Sequence, residues 1–193
     1  MNPAVSFSML LLGRLSPCKF MIYAFAQLIG SFLASFSVFL VYHNALSKYP
    51  KGMYSIETAG IFGTYPNDLN DETNTFSMFF EQFFATALFL IAILAVTDKK
   101  NYDIPHPMAA ILIGMALTGI GAAFGYNSGF AVNPVRDFGP RFFTLVFGWG
   151  GKTFSAGNFF FWVPVLGPML GAAFGTSLYH LFVSIHLPDE YYN

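Results

Sequence analysis

Gly129-Phe130-Ala131-Val132-Asn133-Pro134-Val135-Arg136-Asp137-Phe138-Gly139-Pro140-Arg141 has the form of a helix N-terminus set inside an apolar region. Asn133 is a good N-cap, Pro134 suits the first helical position, and Asp137 places a negative charge where the helix dipole favours it. The apolar stretch that follows, through Phe147, is too short for a full membrane span, so the segment 134–147 reads as a half-helix. A shorter copy opens the chain: Met1-Asn2-Pro3-Ala4-Val5-Ser6, then an apolar run, giving a second half-helix at 3–13. The rival assignment makes both segments interfacial helices, but their apolar flanks and Gly-rich lead-ins argue for re-entry into the membrane.

Composition sets the surroundings of these two segments. The chain has 193 residues, 55% hydrophobic and 10% charged, with 25 Phe. Soluble domains carry roughly 25% charged residues, so this length cannot enclose the core that a soluble fold would need. The fold class is therefore an all-α membrane protein. A net charge of -1 offers nothing to nucleic acid. A single cysteine, Cys18, excludes an internal disulfide and a cysteine metal cluster. No basic n-region of a signal peptide precedes the first Asn-Pro.

A span needs about 20 apolar residues. Four stretches qualify: 20–42, 76–96, 108–124 and 159–183. Polar connectors follow at 43–75 and 98–107, with a Gly-rich one at 149–158 and a polar tail at the end. Arg14, Lys19, Lys99 and Lys100 fall on one side and Lys48, Lys51, Arg141 and Lys152 on the other. That balance gives the positive-inside rule nothing to use.

The order of elements repeats. The second half reads span, span, half-helix, span, and the first half reads half-helix, span. Gln27-x-x-Gly30-Ser31 in the first corresponds to Pro168-x-x-Gly171-Ala172 in the second. Three spans per copy invert the topology of the second copy, an architecture shared by several transport folds. The reading is a single membrane domain, 1–193: residues 1–42 a remnant of the first repeat, 43–75 a connector, 76–187 a complete second repeat, 188–193 a polar tail. It carries the expectation that roughly 55 to 60 residues, enough for two spans, precede this chain.

Irregular backbone at membrane depth is tolerated where it lines a cavity. If a pore passes between the two half-helix N-termini, the oxygens of Asn2 and Asn133 cap their helices and their NH2 groups face the lumen as donors. The two dipoles then disfavour cations at that point. Arg136, costly in so apolar a region, reads as a functional donor on a water-filled path. The alternative for it is a structural pair with Asp137 or a carbonyl. Phe130 supplies an apolar wall. Glycines 167, 171 and 175, and 121, 125 and 129, form small-residue stripes suited to close helix packing. Glu81 and Gln82 sit near the start of a span, where one could bond loop backbone or lie at the interface. No carboxylate pair, nucleophile elbow or phosphate loop supports an enzyme, and no cofactor is implied.

These residues resemble the major intrinsic proteins, in the aquaglyceroporin branch. The carriers are Asn2-Pro3-Ala4, Gly129-Phe130, Asn133-Pro134-Val135-Arg136-Asp137, Phe138-Gly139-Pro140-Arg141, Asn127-Ser128-Gly129, Gly148-Trp149-Gly150 and Ile61-Phe62-Gly63-Thr64-Tyr65-Pro66. The resemblance covers the whole chain. It implies an aquaporin-like inverted-repeat bundle with two re-entrant half-helices and four full spans here. It also implies a homotetrameric plasma-membrane channel for glycerol, water and similar small neutral solutes.

By the same resemblance Asn2 and Asn133 are midplane donors and Arg136 the filter arginine. Phe130 lines the filter, and Gly121 is the small residue where water-selective members place histidine. Asp137, Gln82, Pro3 and Pro134 support the pore loops. Two departures stand out. Val135 replaces the usual Ala, which predicts a modest disturbance of the midplane fit. The first two spans of the family have no counterpart, which opens a second expectation: a non-conducting chain that co-assembles with and regulates full-length subunits. A secondary transporter would need an ion-coupling carboxylate, and Asp137 is the only candidate.

Overall fold

The computed structural model describes residues 2–67, 75–102 and 104–188. Eight helices are present among them: α1 (Pro3–Leu11), α2 (Pro17–Ser47), α3 (Ile56–Ala59), α4 (Thr75–Thr97), α5 (His106–Phe124), α6 (Pro134–Thr144), α7 (Lys152–Phe159) and α8 (Val163–Phe182). Four segments are long and apolar enough to cross a membrane, Pro17–Ser47, Thr75–Thr97, His106–Phe124 and Lys152–His186. Two short helices, the apolar α1 and the more polar α6 with Arg136, Asp137 and Arg141, are the half-helices. Most of the tail, and residues 68–74 of the connector, lie outside the described residues.

The two half-helices start with the same local geometry. Asn2 has φ -152° and ψ 118°, and its side-chain oxygen accepts the Ala4 N–H. Asn133 has φ -151° and ψ 112°, and its oxygen accepts the Val135 N–H. A proline without an N–H follows each, where no intrahelical partner exists anyway.

Their ends differ from each other and from the sequence reading. α1 stops at Leu11, where Gly13 turns the chain away at φ 69°. α6 stops at Thr144, then widens into a π-turn at Leu145–Trp149 that breaks at Gly148, φ 115°. The connector is also less irregular than expected, because α2 continues to Ser47 and α3 forms inside it. In the Gly-rich loop, α7 opens with a helical turn and breaks at Ala156, Gly157 and Asn158.

Helix packing follows the small residues. α8 lies against α4 so closely that a Cβ on Gly171 would sit 2.1 Å from the Phe83 carbonyl oxygen, and one on Gly175 2.4 Å from that of Ala87. Gly139 of α6 is equally close to α2, but there a Cβ would meet the Ser31 side-chain hydroxyl rather than backbone. The matched glycine of the first repeat behaves differently: a Cβ on Gly30 meets no described atom within 4 Å. The second expected stripe is not a packing stripe either. Gly121 faces the Phe130 ring, Gly125 caps α5, and Gly129 lies in the following loop at φ 77°.

Many of the phenylalanines are accounted for between α2 and α6. Phe32, Phe36 and Phe39 of α2 meet Phe143 and Phe147, whose own rings stack with centroids 4.3 Å apart. Trp149 closes the cluster and donates its indole N–H to the Thr58 hydroxyl of α3 at 2.9 Å. α4 and α8 are half buried along their apolar windows, whereas α2 and α5 are only 11% and 6% buried and present apolar surface outward.

Gly171→Ala should lower the melting temperature in detergent by the equivalent of about 1–3 kcal/mol, because the added methyl meets backbone that cannot rotate away. Gly30→Ala, in open space on a helix, should be neutral or slightly stabilising. Equal melting temperatures for the two variants would contradict this account of the α4–α8 contact.

Candidate pore site

The loop before α6 adopts a conformation its side chains resist. Phe130 and Val132 both have positive φ, 55° and 53°. For a β-branched residue such as Val132 this is a strained position, and it persists only where the surroundings over-determine it. They do so here. The Gln82 side-chain oxygen accepts the Val132 N–H at 2.9 Å, and the Asn2 amide nitrogen donates to the Val132 carbonyl at 2.9 Å. One of the two Asn2 amide hydrogens therefore goes to the protein rather than to the lumen. Val132 itself is 1% exposed.

Around this loop lies a cavity of about 610 Å³. Asn2, Asn133, Phe130 and Arg136 all line it, with Ile93, Ile113 and Leu117 forming an apolar side. Beyond it, on the connector side, a second cavity of about 490 Å³ is lined by Glu57, Thr64, Tyr65 and Asn67. Gly129 and Arg136 line both, so they stand at the boundary between the two spaces. The Arg136 guanidinium donates to the Phe62 carbonyl at 3.2 Å. Its neighbours Val135 and Asp137 are buried, while Arg136 is exposed to these spaces. Gly121 lines neither cavity. Its role is spatial, since a Cβ there would come within 2.8 Å of the Phe130 ring.

Asp137 does not pair with Arg136. It is fully buried and bonds Arg141 one turn on, Nε to Oδ1 at 2.8 Å and Nη2 to Oδ2 at 3.0 Å. The Thr64 N–H and hydroxyl donate to Asp137 Oδ2 at 2.7 and 2.5 Å. Arg141 also donates to the Thr64 and Thr153 carbonyls and lies 4.3 Å over the Tyr65 ring. Burial pushes the Tyr65 phenol above its ordinary range, against the pull of that guanidinium. Arg141, grouped in the sequence with Lys48, Lys51 and Lys152 as a charge on one side of the membrane, is thus a core residue. Its i,i+4 spacing from Asp137 was the available signal.

Gln82, 1% exposed, stands behind the loop, and Glu81 beside it accepts from Ser128 and Asn127. At the outer rim Lys51 holds the Glu57 carboxyl down to about 2, so this exposed pair is charged at any physiological pH. Among the described residues no group of His, Cys, Asp and Glu is arranged to hold a metal ion.

A family model for the major intrinsic proteins matches residues 1–179. The chain belongs to the major intrinsic protein family. Human aquaporin-10 is 40% identical over 193 residues, covering 98% of this chain and 63% of that protein. Rat aquaporin-7 is 38% identical, covering 98% and 71%. The crystal structure of the aquaglyceroporin from Plasmodium falciparum superposes with a TM-score of 0.83 at 31% identity, over 95% of this chain and 72% of that one. The resemblance to the aquaglyceroporin branch stands on these matches, and with it the inverted-repeat helical fold and a multi-pass integral membrane location. The chain spans 63% of the length of human aquaporin-10.

Arg141→Met should destabilise the protein by about 3–5 kcal/mol, because it leaves the Asp137 carboxylate buried without a cation. The double variant Asp137→Leu/Arg141→Met should recover part of that loss. Thermal unfolding in detergent reads both, and strictly additive losses would show that the two groups do not act as a pair.

Proposed function

We propose that this protein is a passive channel subunit for glycerol, other small uncharged solutes and water, assembled as a homotetramer in the plasma membrane. The observation that carries the reading is the cavity where two helix N-termini, the Asn2 and Asn133 side chains and Arg136 face one space with Phe130 and aliphatic residues opposite. A solute of the glycerol type has hydroxyls along one edge and carbon along the other, and such a space serves both. Donors and two positive dipole ends make the same space unfavourable for a cation. Arg136, at the boundary of the two cavities, acts as the filter donor. Gly121 keeps that filter wide by leaving room for the Phe130 ring. Asp137, Gln82, Pro3 and Pro134 set the loops without touching solute. Val135, 8% exposed, is buried in the first turn of the second half-helix, and its extra bulk over alanine perturbs the midplane modestly.

One observation favours a second reading. α2 and α5 are scarcely covered, although the cavity lies beside them. A chain that completes its wall only beside other membrane helices could serve as a non-conducting partner that co-assembles with full-length channel subunits and regulates them. Stopped-flow glycerol uptake into liposomes holding the purified protein separates the two. Uptake well above protein-free liposomes supports the channel; background uptake together with co-purification of a full-length subunit supports the partner.

In a conducting preparation Gly121→His should cut glycerol uptake more than tenfold, since even a Cβ displaces Phe130 by a hard contact and misplacement of about 1 Å in a tuned site is costly. Water flux should fall less. Unchanged glycerol uptake would remove Gly121 from the filter. Val135→Ala should raise glycerol uptake slightly, and equal flux would remove any effect of the valine.

A further inference from the structure

Glu81 touches neither cavity around the half-helices, yet it holds one end of a hydrogen-bond chain that ends on the strained Val132 peptide. Its Oε1 accepts the Ser128 hydroxyl at 2.7 Å and the Gln82 amide nitrogen at 3.2 Å, and its Oε2 accepts the Asn127 N–H at 3.2 Å. The Gln82 amide nitrogen also donates to the Ser128 oxygen at 2.8 Å. Ser128 is fully buried, Gln82 is 1% exposed and Glu81 6%.

Each of these bonds has a direction, and Glu81 sets them all. An ionised carboxylate only accepts, so the Ser128 hydroxyl hydrogen must point at it. The Ser128 oxygen then has only lone pairs to offer Gln82, which must present its NH2 on that side. The Gln82 carbonyl oxygen is left on the opposite side, where it meets the Val132 N–H at 2.9 Å. A glutamine amide has nearly the same shape either way round, and nothing in its own form decides between the two. Turned over, it would set an NH2 against the Val132 N–H, two donors with no acceptor between them in a buried place.

We propose that Glu81 is a positioning residue for the pore, which fixes the orientation of the Gln82 amide and through it the Val132 peptide and the Asn2 amide bonded to that peptide's carbonyl. This inference rests on the channel reading only for its consequence in flux. The orientation itself concerns the protein alone.

The test replaces Glu81 and then removes the need for it. Glu81→Gln takes away the acceptor-only end and allows the chain to run in either direction. Amide exchange in the 127–133 segment of the purified protein should then quicken, and glycerol uptake relative to water should fall, each by roughly fivefold, the worth of one lost neutral hydrogen bond. Glu81→Asp keeps an acceptor-only group and should lose less. The double variant Glu81→Gln/Gln82→Glu should restore both readouts, because a carboxylate at 82 accepts the Val132 N–H whichever way it is turned. A role confined to holding Asn127 in place would not be rescued by a change at 82.

Slow exchange in Glu81→Gln, or fast exchange that persists in the double variant, would overturn the proposal. If Glu81→Gln does not yield folded protein, the double variant decides alone: wild-type exchange supports the proposal, and fast exchange overturns it. If exchange follows the expected pattern but unaltered protein moves no glycerol, the orientation stands and the channel reading fails.

Discussion

The Val132 peptide is where the two halves of the molecule are joined. Asn2, at the start of the chain, reaches across 130 positions to donate to its carbonyl, while Gln82 takes its N–H from behind. A left-handed valine would relax if either bond were lost, and Phe130 and Asn133 on either side would move with it. The strain is therefore informative about design. The loop is held in a shape that directs polar backbone and two amide side chains toward one space, and the neighbouring helices supply the force that keeps it there.

A second constraint operates on the outer side. Asp137 and Arg141 are both fully buried, and among the described residues the other side-chain bonds of the pair go to other elements: Thr64 of the connector, Thr153 of α7, and the face of Tyr65. A buried ion pair is weak evidence of stability, because desolvation offsets much of the attraction. Its value here is in location. It ties the connector to the half-helix beside Arg136, and Arg136 adds its own bond to Phe62. The outer cavity thus owes its floor to a helix and its walls to a loop that would otherwise have few fixed points.

Several parts of this arrangement were legible in the chain because they follow from local rules. Asn-Pro announces a capped helix start by itself, apolar length announces a span, and two copies of one pattern announce a repeat. Other parts required tertiary knowledge. Arg141 lay inside the expected half-helix, but its place in the sequence says nothing of burial, and only the fold brings Thr64 and Thr153 to it. Gly30 and Gly171 match in sequence, yet one faces open space and the other the α4 backbone. The glycines at 121, 125 and 129 share a helical spacing, but α5 ends at Phe124, so the third belongs to a loop. Glu81 and Gln82 were candidates to bond loop backbone, and both do, but the Ser128 hydroxyl, 47 positions from Glu81, left no mark as the partner.

The glycine contacts between α4 and α8 have a mechanical consequence. Where Gly171 and Gly175 meet the α4 backbone there is no side chain between the helices to change rotamer, so the pair is stiff at those points. α2 and α5 line the cavity beside the half-helices with surfaces that are mostly uncovered, so they are less constrained by neighbours. The apolar stretch of α2, residues 20–42, makes about 34 Å of helix against a hydrocarbon layer of about 30 Å. A helix that overshoots the layer tilts to fit it, and its tilt follows bilayer thickness. The bilayer thereby bears on the cavity through the helix that lends it Gln27.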